Sequence, residues 1–190
     1  MTQSVSAAVL QAARSLATRQ ELGGASMADI AAEAGVTRVT LYRRGETRPA
    51  ILAALREELA REERDLLVPI VLGDGDARGR LSALLTALCE ITDSRIDVLA
   101  GLDDVTLNAI YHEPGEGSLT RSEFIDPLVR LLRDGAVDGT LRSLADPLET
   151  ATALYTQVTC SYTHLRREHG WSAERATLQV VDLAEHGVRA

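Results

Sequence analysis

The sequence predicts an all-α fold, in which an N-terminal three-helix domain with a helix-turn-helix precedes a larger helical domain. Apolar residues make up 45% of the 190-residue chain and aromatic residues only 3%. An apolar content carried by alanine and leucine favours packed helices over sheets of β-branched residues. Apolar positions repeatedly follow the i, i+3, i+4 spacing of amphipathic helices, and no useful stretch alternates as a strand would. We therefore expect about nine helices.

The first two helices have clear start and stop signals. Apolar periodicity predicts a helix over residues 5–17, which Gly23-Gly24 stops. Ser26 then begins a Ser-x-x-Asp capping box in which Asp29 reaches back to the helix start. Gly35 is expected to end this second helix in the left-handed conformation.

Two threonine caps predict the next two helices. Thr37 caps a short helix that is anchored by Leu41. Thr47 caps a fourth helix, which tolerates Pro49 in its first turn and runs to about Pro69. Residues 1–48 are thus expected to form the helix-turn-helix domain, and residues 48–69 the connecting helix.

The remaining residues, 76–190, are expected to form a second helical domain. Asp146-Pro147 opens a long helix as cap and first residue, and Ser172 caps the last one. Gly135 and Gly139 are expected to lie in the turn before Asp146. The predicted helical segments are 81–91, 96–111 with a possible break at Gly101, 122–134, 147 to about 169, and 172 to about 187.

The sequence contains no recognisable catalytic or metal-binding pattern. Cys89 and Cys160 are far apart and lie in helical patterns, where buried apolar roles are expected. His164 and His169 are five residues apart and should diverge on a helix. No nucleophile–base pair stands out. We therefore expect no cofactor, no metal site and no enzymatic activity.

The chain shows neither a transmembrane nor an export pattern. The longest later uncharged run, residues 150–165, is rich in threonine and too short to span a bilayer. The first thirteen residues lack a positively charged n-region. A cytoplasmic location without membrane association is expected.

Positive charge is concentrated near the N-terminus of an acidic protein. The formal net charge is -8, yet residues 1–48 hold six arginines and four acidic residues, a net +2. The other 142 residues hold 14 arginines and 24 acidic residues, a net -10. Four of the front arginines lie between Arg38 and Arg48, against a single Glu46. Such asymmetry indicates a polyanionic partner for the front segment.

The third predicted helix presents a surface suited to DNA. Helical geometry places Val39 and Arg43 opposite the buried Leu41. Arginine offers paired donors to guanine, valine a contact for the thymine methyl group, and hydroxyl groups bind phosphates. A merely solvated basic face is the alternative, which the matching caps and turn disfavour. The expected contacts to double-stranded DNA are Ser26, Thr37, Arg38, Val39, Thr40, Tyr42, Arg43, Arg44 and Arg48.

At these residues the sequence resembles the TetR family of bacterial transcriptional regulators. The matching signature is Ile30-Ala31-x-x-Ala34-Gly35-Val36-Thr37-x-x-Thr40-Leu41-Tyr42, followed by Arg48 and a leucine-rich fourth helix. Arg48 stands where the family usually has a lysine that touches phosphate. The resemblance implies a cytoplasmic homodimer that binds a pseudo-palindromic operator as a ligand-responsive repressor.

Two positions depart from the family pattern. After Leu41-Tyr42 the family generally has an aromatic residue or histidine and then phenylalanine, whereas this chain has Arg43-Arg44-Gly45. Val39 fills a position that is more often a small residue or proline. The missing phenylalanine supports an alternative function, a helical small-molecule-binding or protein-interaction module with a degenerate DNA-binding head.

The resemblance also implies an effector pocket and dimerisation through the last two helices. An unknown, apolar or weakly polar effector is expected because aromatic residues are scarce. Its binding would tilt the fourth helix and alter the spacing of the two DNA-reading heads. The candidate pocket residues are Leu85, Cys89, Leu102, Tyr111, Phe124, Leu128, Tyr155 and Thr159. The candidate interface residues are Ala151, Leu154, Val158, Tyr162, Leu165, Leu178 and Val181.

Overall fold

A computed structural model describes residues 5–19, 21–113, 115 and 120–188, and over these residues it contains ten α-helices and no β-strand. The all-α fold class is confirmed. The count is ten because the anticipated break at Gly101 separates α6 from α7. The helices are α1 (Ala7–Thr18), α2 (Met27–Glu33), α3 (Arg38–Arg43), α4 (Arg48–Val71), α5 (Ala77–Ser94), α6 (Ile96–Ala100), α7 (Asp104–Tyr111), α8 (Ser122–Asp138), α9 (Pro147–Arg167) and α10 (Ala173–Val188).

Local capping signals fix the helix ends where the sequence placed them. The Ser26 hydroxyl accepts from the amides of Ala28 and Asp29, and the Asp29 carboxylate accepts from the Ser26 amide at 2.8 Å. Gly35 ends α2 with a φ of 67°, in the left-handed region that favours glycine. The Asp146 carboxylate accepts from the second and third amides of α9. Each cap satisfies backbone donors that the helix leaves unpaired.

The first compact unit comprises the described parts of Met1–Ala60 and Arg95–Glu116. Within it α1 packs on α2 and α6, and α2 packs on α3. The structure therefore groups α6 and α7 with the N-terminal helices, which a division by position along the chain does not. The buried apolar side chains include Val9, Ala13, Leu16, Leu22, Ile30, Leu41, Ile51, Leu55, Leu59 and Ile110.

The second compact unit comprises the described parts of Arg61–Ser94 and Gly117–Ala190. Here α5 packs against α8, α9 and α10, and α9 also packs against α8 and α10. Four helices thus enclose one core, as in other helical bundles. Its buried side chains include Leu81, Leu84, Leu85, Leu88, Phe124, Leu128, Leu131, Val158 and Tyr162.

Helix α8 is longer than the sequence predicts. Gly135 was expected in the following turn but lies buried inside the helix, which ends at Gly139 with a φ of 79°. A Cβ on Gly135 would lie 2.4 Å from the Leu141 Cδ1 atom. The glycine is therefore a packing site for the returning chain, whose Leu141 amide also donates to the Gly135 carbonyl at 3.0 Å.

Two expectations about side chains of α9 are wrong. Cys160 is exposed, whereas Cys89 is buried. His164 and His169 converge, with their ring centroids 5.1 Å apart. Their divergence assumed a continuous helix, but α9 ends at Arg167 and the chain after it turns back.

Neither a membrane-crossing helix nor a metal-ligand cluster is present in the described part of the chain. Each helix there is too short or too polar to span a bilayer. No three histidine, cysteine or acidic side chains there are grouped as metal ligands.

The same substitution at two glycines should have opposite effects on stability. Gly135→Ala forces a methyl group into Leu141 and should lower the free energy of unfolding by about 1–3 kcal/mol. Gly187→Ala meets no atom within 4 Å, so it should raise that free energy by up to about 1 kcal/mol through helix propensity. Chemical denaturation of both variants checks this. A Gly135→Ala variant as stable as wild type would contradict the close packing.

Candidate nucleic-acid interface

Helix α3 exposes one face and buries the other. Leu41 is fully buried and holds the helix against the first unit. On the opposite side Val39 is 74% exposed and Tyr42 is 49% exposed. Arg43 and Arg44 are also exposed. The structure thus brings these predicted contact residues together on one accessible ridge, defined here as Arg38, Val39, Tyr42, Arg43 and Arg44.

Arg38 and Tyr42 are paired along this ridge. The Arg38 Nη2 atom donates to the Tyr42 hydroxyl at 3.3 Å, and the guanidinium carbon lies 5.3 Å from the centroid of the tyrosine ring. An i, i+4 spacing makes such contacts possible on a helix surface. The cation–π contact restrains both side chains while leaving most guanidinium donors available.

The hydroxyl groups predicted to hold phosphates are engaged in caps. Thr37 accepts from the Thr40 amide at 3.2 Å, and the two threonine hydroxyls lie 2.9 Å apart. Ser26 donates to Asp29 at 2.7 Å. Hydrogen bonds from the Ser26 hydroxyl and amide lower the pKa of Asp29. A carboxylate therefore occupies the start of α2, where the sequence suggested room for a phosphate.

Helix α2 is fastened to α1 by a forked ion pair. Arg19 donates to both carboxylate oxygens of Glu33, at 3.0 and 2.9 Å, and Ser15 adds a hydrogen bond at 2.8 Å. The hydrogen bonds from Arg19 and Ser15 lower the pKa of Glu33. Two parallel donors give this pair a defined geometry, so it fixes the register of α2 on α1.

The turn between α3 and α4 is closed without the phenylalanine that the family pattern has. Gly45 adopts a φ of 66°, a left-handed conformation that a phenylalanine would resist. Glu46 is only 2% exposed, and its carboxylate accepts from the Ser6 amide at 2.8 Å. The Glu46 amide donates to the Leu41 carbonyl at 3.0 Å. The burial of Glu46 was not predicted, and its signal in the sequence is a lone acidic residue within an arginine-rich segment.

Arg48 faces the protein and contacts the loop between α1 and α2. Its Nη1 atom donates to the Ala25 carbonyl at 2.8 Å, and its Nη2 atom to the carbonyls of Leu22 and Gly23 at 3.1 and 3.3 Å. The residue is half-buried. Arg48 therefore does not belong to the exposed ridge, and its side chain binds the α1–α2 loop within the first unit. A phosphate contact at this position remains a prediction.

The second unit contains a cleft of about 660 Å³ between α5, α9 and α10. None of the eight predicted pocket residues lines it. Leu85, Cys89, Phe124 and Leu128 are fully buried core residues, and Tyr155 donates to the buried Glu63 at 3.2 Å. Leu102 and Tyr111 belong to the first unit, and the Thr159 hydroxyl donates to the Tyr155 carbonyl. The cleft is lined by Ser82, Thr86, Glu90, Asp93, Tyr162, Ala173, Glu174, Thr177, Leu178, Val181, Asp182 and Glu185.

Carboxylates dominate the polar lining of this cleft. Asp93 accepts from the Tyr162 hydroxyl at 3.0 Å and from the Arg166 Nε atom at 2.6 Å. The Arg166 hydrogen bond lowers the pKa of Asp93, and burial followed by the hydrogen bond to Asp93 raises the pKa of Tyr162 to about 12. Asp93 is therefore anionic and Tyr162 protonated at neutral pH.

Most predicted interface residues lie in the core of their own unit. Ala151, Leu154, Val158 and Tyr162 are buried within the single chain, as is Val181, and Leu165 is half-buried. The apolar stripe of α9 packs against neighbouring helices of the same chain, and its role in an interface stays a prediction. Leu178 is the exposed member of the set, at 65%, and Leu183 on the same helix is also exposed.

The buried Glu46 should be essential to the α3–α4 turn. Glu46→Ala leaves the Ser6 amide without its partner and should lower the free energy of unfolding by about 1–3 kcal/mol. Glu46→Gln keeps an oxygen acceptor and should retain most of the stability. Urea denaturation of the two variants compares them. Equal stability of Glu46→Ala and wild type would contradict the assignment.

The N-terminal part of the chain matches a known protein family. The family model described as bacterial regulatory proteins, tetR family, matches residues 9–61, which hold α1–α3 and the first half of α4. No match was found among curated proteins.

The whole chain also resembles solved structures. A Shewanella sp. PV-4 protein assigned to the tetR family of transcription regulators is 18% identical, with a TM-score of 0.71 over 96% of this chain and 97% of that one. SmeT, the repressor of a multidrug efflux pump of Stenotrophomonas maltophilia, is also 18% identical, with a TM-score of 0.71 over 100% and 92%. A Thermobifida fusca regulator of the TetR/AcrR family is 19% identical, with a TM-score of 0.59 over 96% and 97%. Residues 9–61 thus match the tetR-family model, and the likeness to the solved structures shows that the chain has their fold.

Proposed function

We propose that the protein is a homodimeric transcriptional repressor that reads a pseudo-palindromic operator and releases it when a small molecule binds. The exposed ridge of α3 over the buried Leu41 carries this proposal. A helix that is fixed on one side and lined with arginine, valine and tyrosine on the other fits the major groove.

We assign the contacts with DNA bases mainly to Arg43 and Val39. Both lie on the exposed side of α3, where an arginine can donate two hydrogen bonds to guanine and a valine can contact a thymine methyl group. Arg38 and Arg44 flank them and supply charge to the phosphates. The net charge of -8 limits attraction of the rest of the protein to DNA.

Dimerisation is proposed through the exposed apolar residues of α10. Leu178 and Leu183 are large apolar side chains with 65% and 64% of their surface exposed. A two-fold interface buries the same patch on both copies and matches two half-sites of an operator. The buried stripe of α9 supports that helix from inside and leaves its polar side facing outward.

A small-molecule response is proposed for the second unit. Its cleft of about 660 Å³ has a volume that suits a ligand site. The carboxylates of its rim disfavour anionic ligands. SmeT, which shares this fold, is a repressor and has been crystallised in complex with triclosan. Effector binding would shift an equilibrium between head arrangements that differ in operator affinity.

The alternative of a degenerate head loses its main support. That alternative rests on the missing phenylalanine at Gly45. The left-handed Gly45 and the buried Glu46 close the same turn by another route. A well-formed ridge therefore favours DNA recognition.

Selection of bound duplexes from a random DNA library tests the proposed function. Sequencing at near-physiological salt should show enrichment of an inverted repeat. Indiscriminate binding that appears only at low salt would overturn it and favour the degenerate-head alternative. The enriched duplex would then serve as the probe for a screen of effectors.

Arg43 should set sequence preference more than overall affinity. Arg43→Ala removes a paired donor and should cost about 1–3 kcal/mol of discrimination at one base pair per half-site. Arg130→Ala is the matched control, since Arg130 is an exposed arginine on α8. Repeating the library selection with both variants measures the change. An unaltered preference in Arg43→Ala would remove this residue from base reading.

The exposed leucines of α10 should be required for dimerisation. Leu178→Glu combined with Leu183→Glu places charges in the proposed interface and should shift the protein to monomer in analytical ultracentrifugation. Val137→Glu alters a residue on α8 that is 90% exposed and should leave the dimer intact. A dimer that survives the double substitution would place the interface elsewhere.

A further inference from the structure

Residues 22–25, in the loop between α1 and α2, lie near two charged groups that are distant in sequence, Arg48 and Asp103. Arg48 begins α4, and Asp103 precedes α7. We call this arrangement of Arg48, Asp103 and residues 22–25 the loop clamp. All its members belong to one compact unit.

Arg48 binds the loop in a way that depends on the shape of its guanidinium group. One terminal nitrogen donates to Ala25 and the other to Leu22 and Gly23, so the group spans three carbonyls. A planar fork reaches separated acceptors, whereas a lysine ammonium is a single point charge. The three carbonyl acceptors of the loop therefore explain why residue 48 is an arginine.

Asp103 approaches the same loop at Gly23. Its carboxylate caps α7 by accepting from the Thr106 amide at 2.7 Å. Its Oδ2 atom lies 3.1 Å from the position that a Cβ on Gly23 would take. Hydrogen bonds from Thr106 lower the pKa of Asp103, and the charge of Arg48 adds to this effect. The carboxylate is thus anionic beside the loop.

The loop leads directly into α2. Ala25 directly precedes the Ser26 cap of α2, and α2 packs on α3. Helix α6 packs on α1, and Asp103 follows α6 in the same compact unit. Asp103 therefore lies beside Gly23, which shortly precedes the Ser26 cap of α2.

We propose that Arg48 and Asp103 are positioning residues for the DNA-reading helices, with Arg48 acting as a clamp on the α1–α2 loop instead of a phosphate contact. Asp103 is the point through which residues 95–116 set the loop. This inference rests on the proposed function, since the helices it positions are those that would read DNA.

Two substitutions of Arg48 separate a clamp from a phosphate contact. Arg48→Lys keeps the charge and Arg48→Ala removes it. If Arg48 is a clamp, both variants should lose operator affinity on the order of tenfold, with the wild-type salt dependence. If it touches phosphate, Arg48→Lys should bind as wild type does, and Arg48→Ala should reduce the salt slope by about 0.9 per half-site. The second result would overturn the clamp.

Amide hydrogen exchange of the free protein reports on the loop without DNA. Exchange at residues 22–29 should accelerate in both Arg48 variants and in Asp103→Asn, because asparagine retains the α7 cap but not the charge. Asp146→Asn is the matched control, as it changes the capping aspartate of α9 in the second unit. Unchanged loop exchange in Asp103→Asn would remove Asp103 from the clamp.

Adjacent glycines give a second control for the contact with Asp103. Gly23→Ala crowds the Asp103 carboxylate, whereas Gly24→Ala meets nothing within 4 Å. Faster exchange at residues 22–29 and weaker operator binding are expected for Gly23→Ala alone. Equal behaviour of the two variants would contradict transmission through this contact. If wild type selects no duplex, the proposed function fails, and the exchange measurements still decide whether the clamp exists.

Discussion

The surface proposed to read DNA depends on a helix, α3, that is too short to be stable by itself. Helix α3 has six residues, and isolated helices of that length are unstable in water because nucleation is costly. Leu41 supplies the apolar anchor, Thr37 the N-terminal cap, and Gly45 with Glu46 the closing turn. Nearly all side chains left over by these tasks face outward, so the requirements of folding also determine which residues can meet DNA.

The second unit differs because its helices are long and carry many apolar residues, which must be buried against one another. The apolar stripe of α9 packs into the core, where Val158 and Tyr162 are buried within the single chain. Leu178 and Leu183 on α10 remain exposed, and exposed apolar residues of this size can mark an interaction surface. Polar contacts reinforce the core where helices meet, as in the link between Asp93, Tyr162 and Arg166.

Local signals in the sequence predicted much of this fold, and contacts between distant residues account for what was missed. Ser26, Gly35 and Asp146 act within one helical turn, so their roles are readable from neighbouring residues. The hydrogen bond from Ser6 to Glu46 spans 40 positions, and no periodicity encodes it. An apolar stripe likewise has the same spacing whether it packs within a chain or between chains. For that reason the interface and pocket residues stay predictions, whereas the ridge followed from the position of one buried leucine.

The grouping of residues 95–116 with the N-terminal helices has a consequence for biosynthesis. The chain leaves the first unit after Ala60 and returns to it at Arg95. A ribosome that has released only α1 to α4 has therefore delivered a head whose α1 still lacks its α6 partner. The head can be completed only after a segment of the other unit has been synthesised. A fragment ending within α4 would lack the packing of α6 on α1, so the complete head is built from two separate segments of the chain.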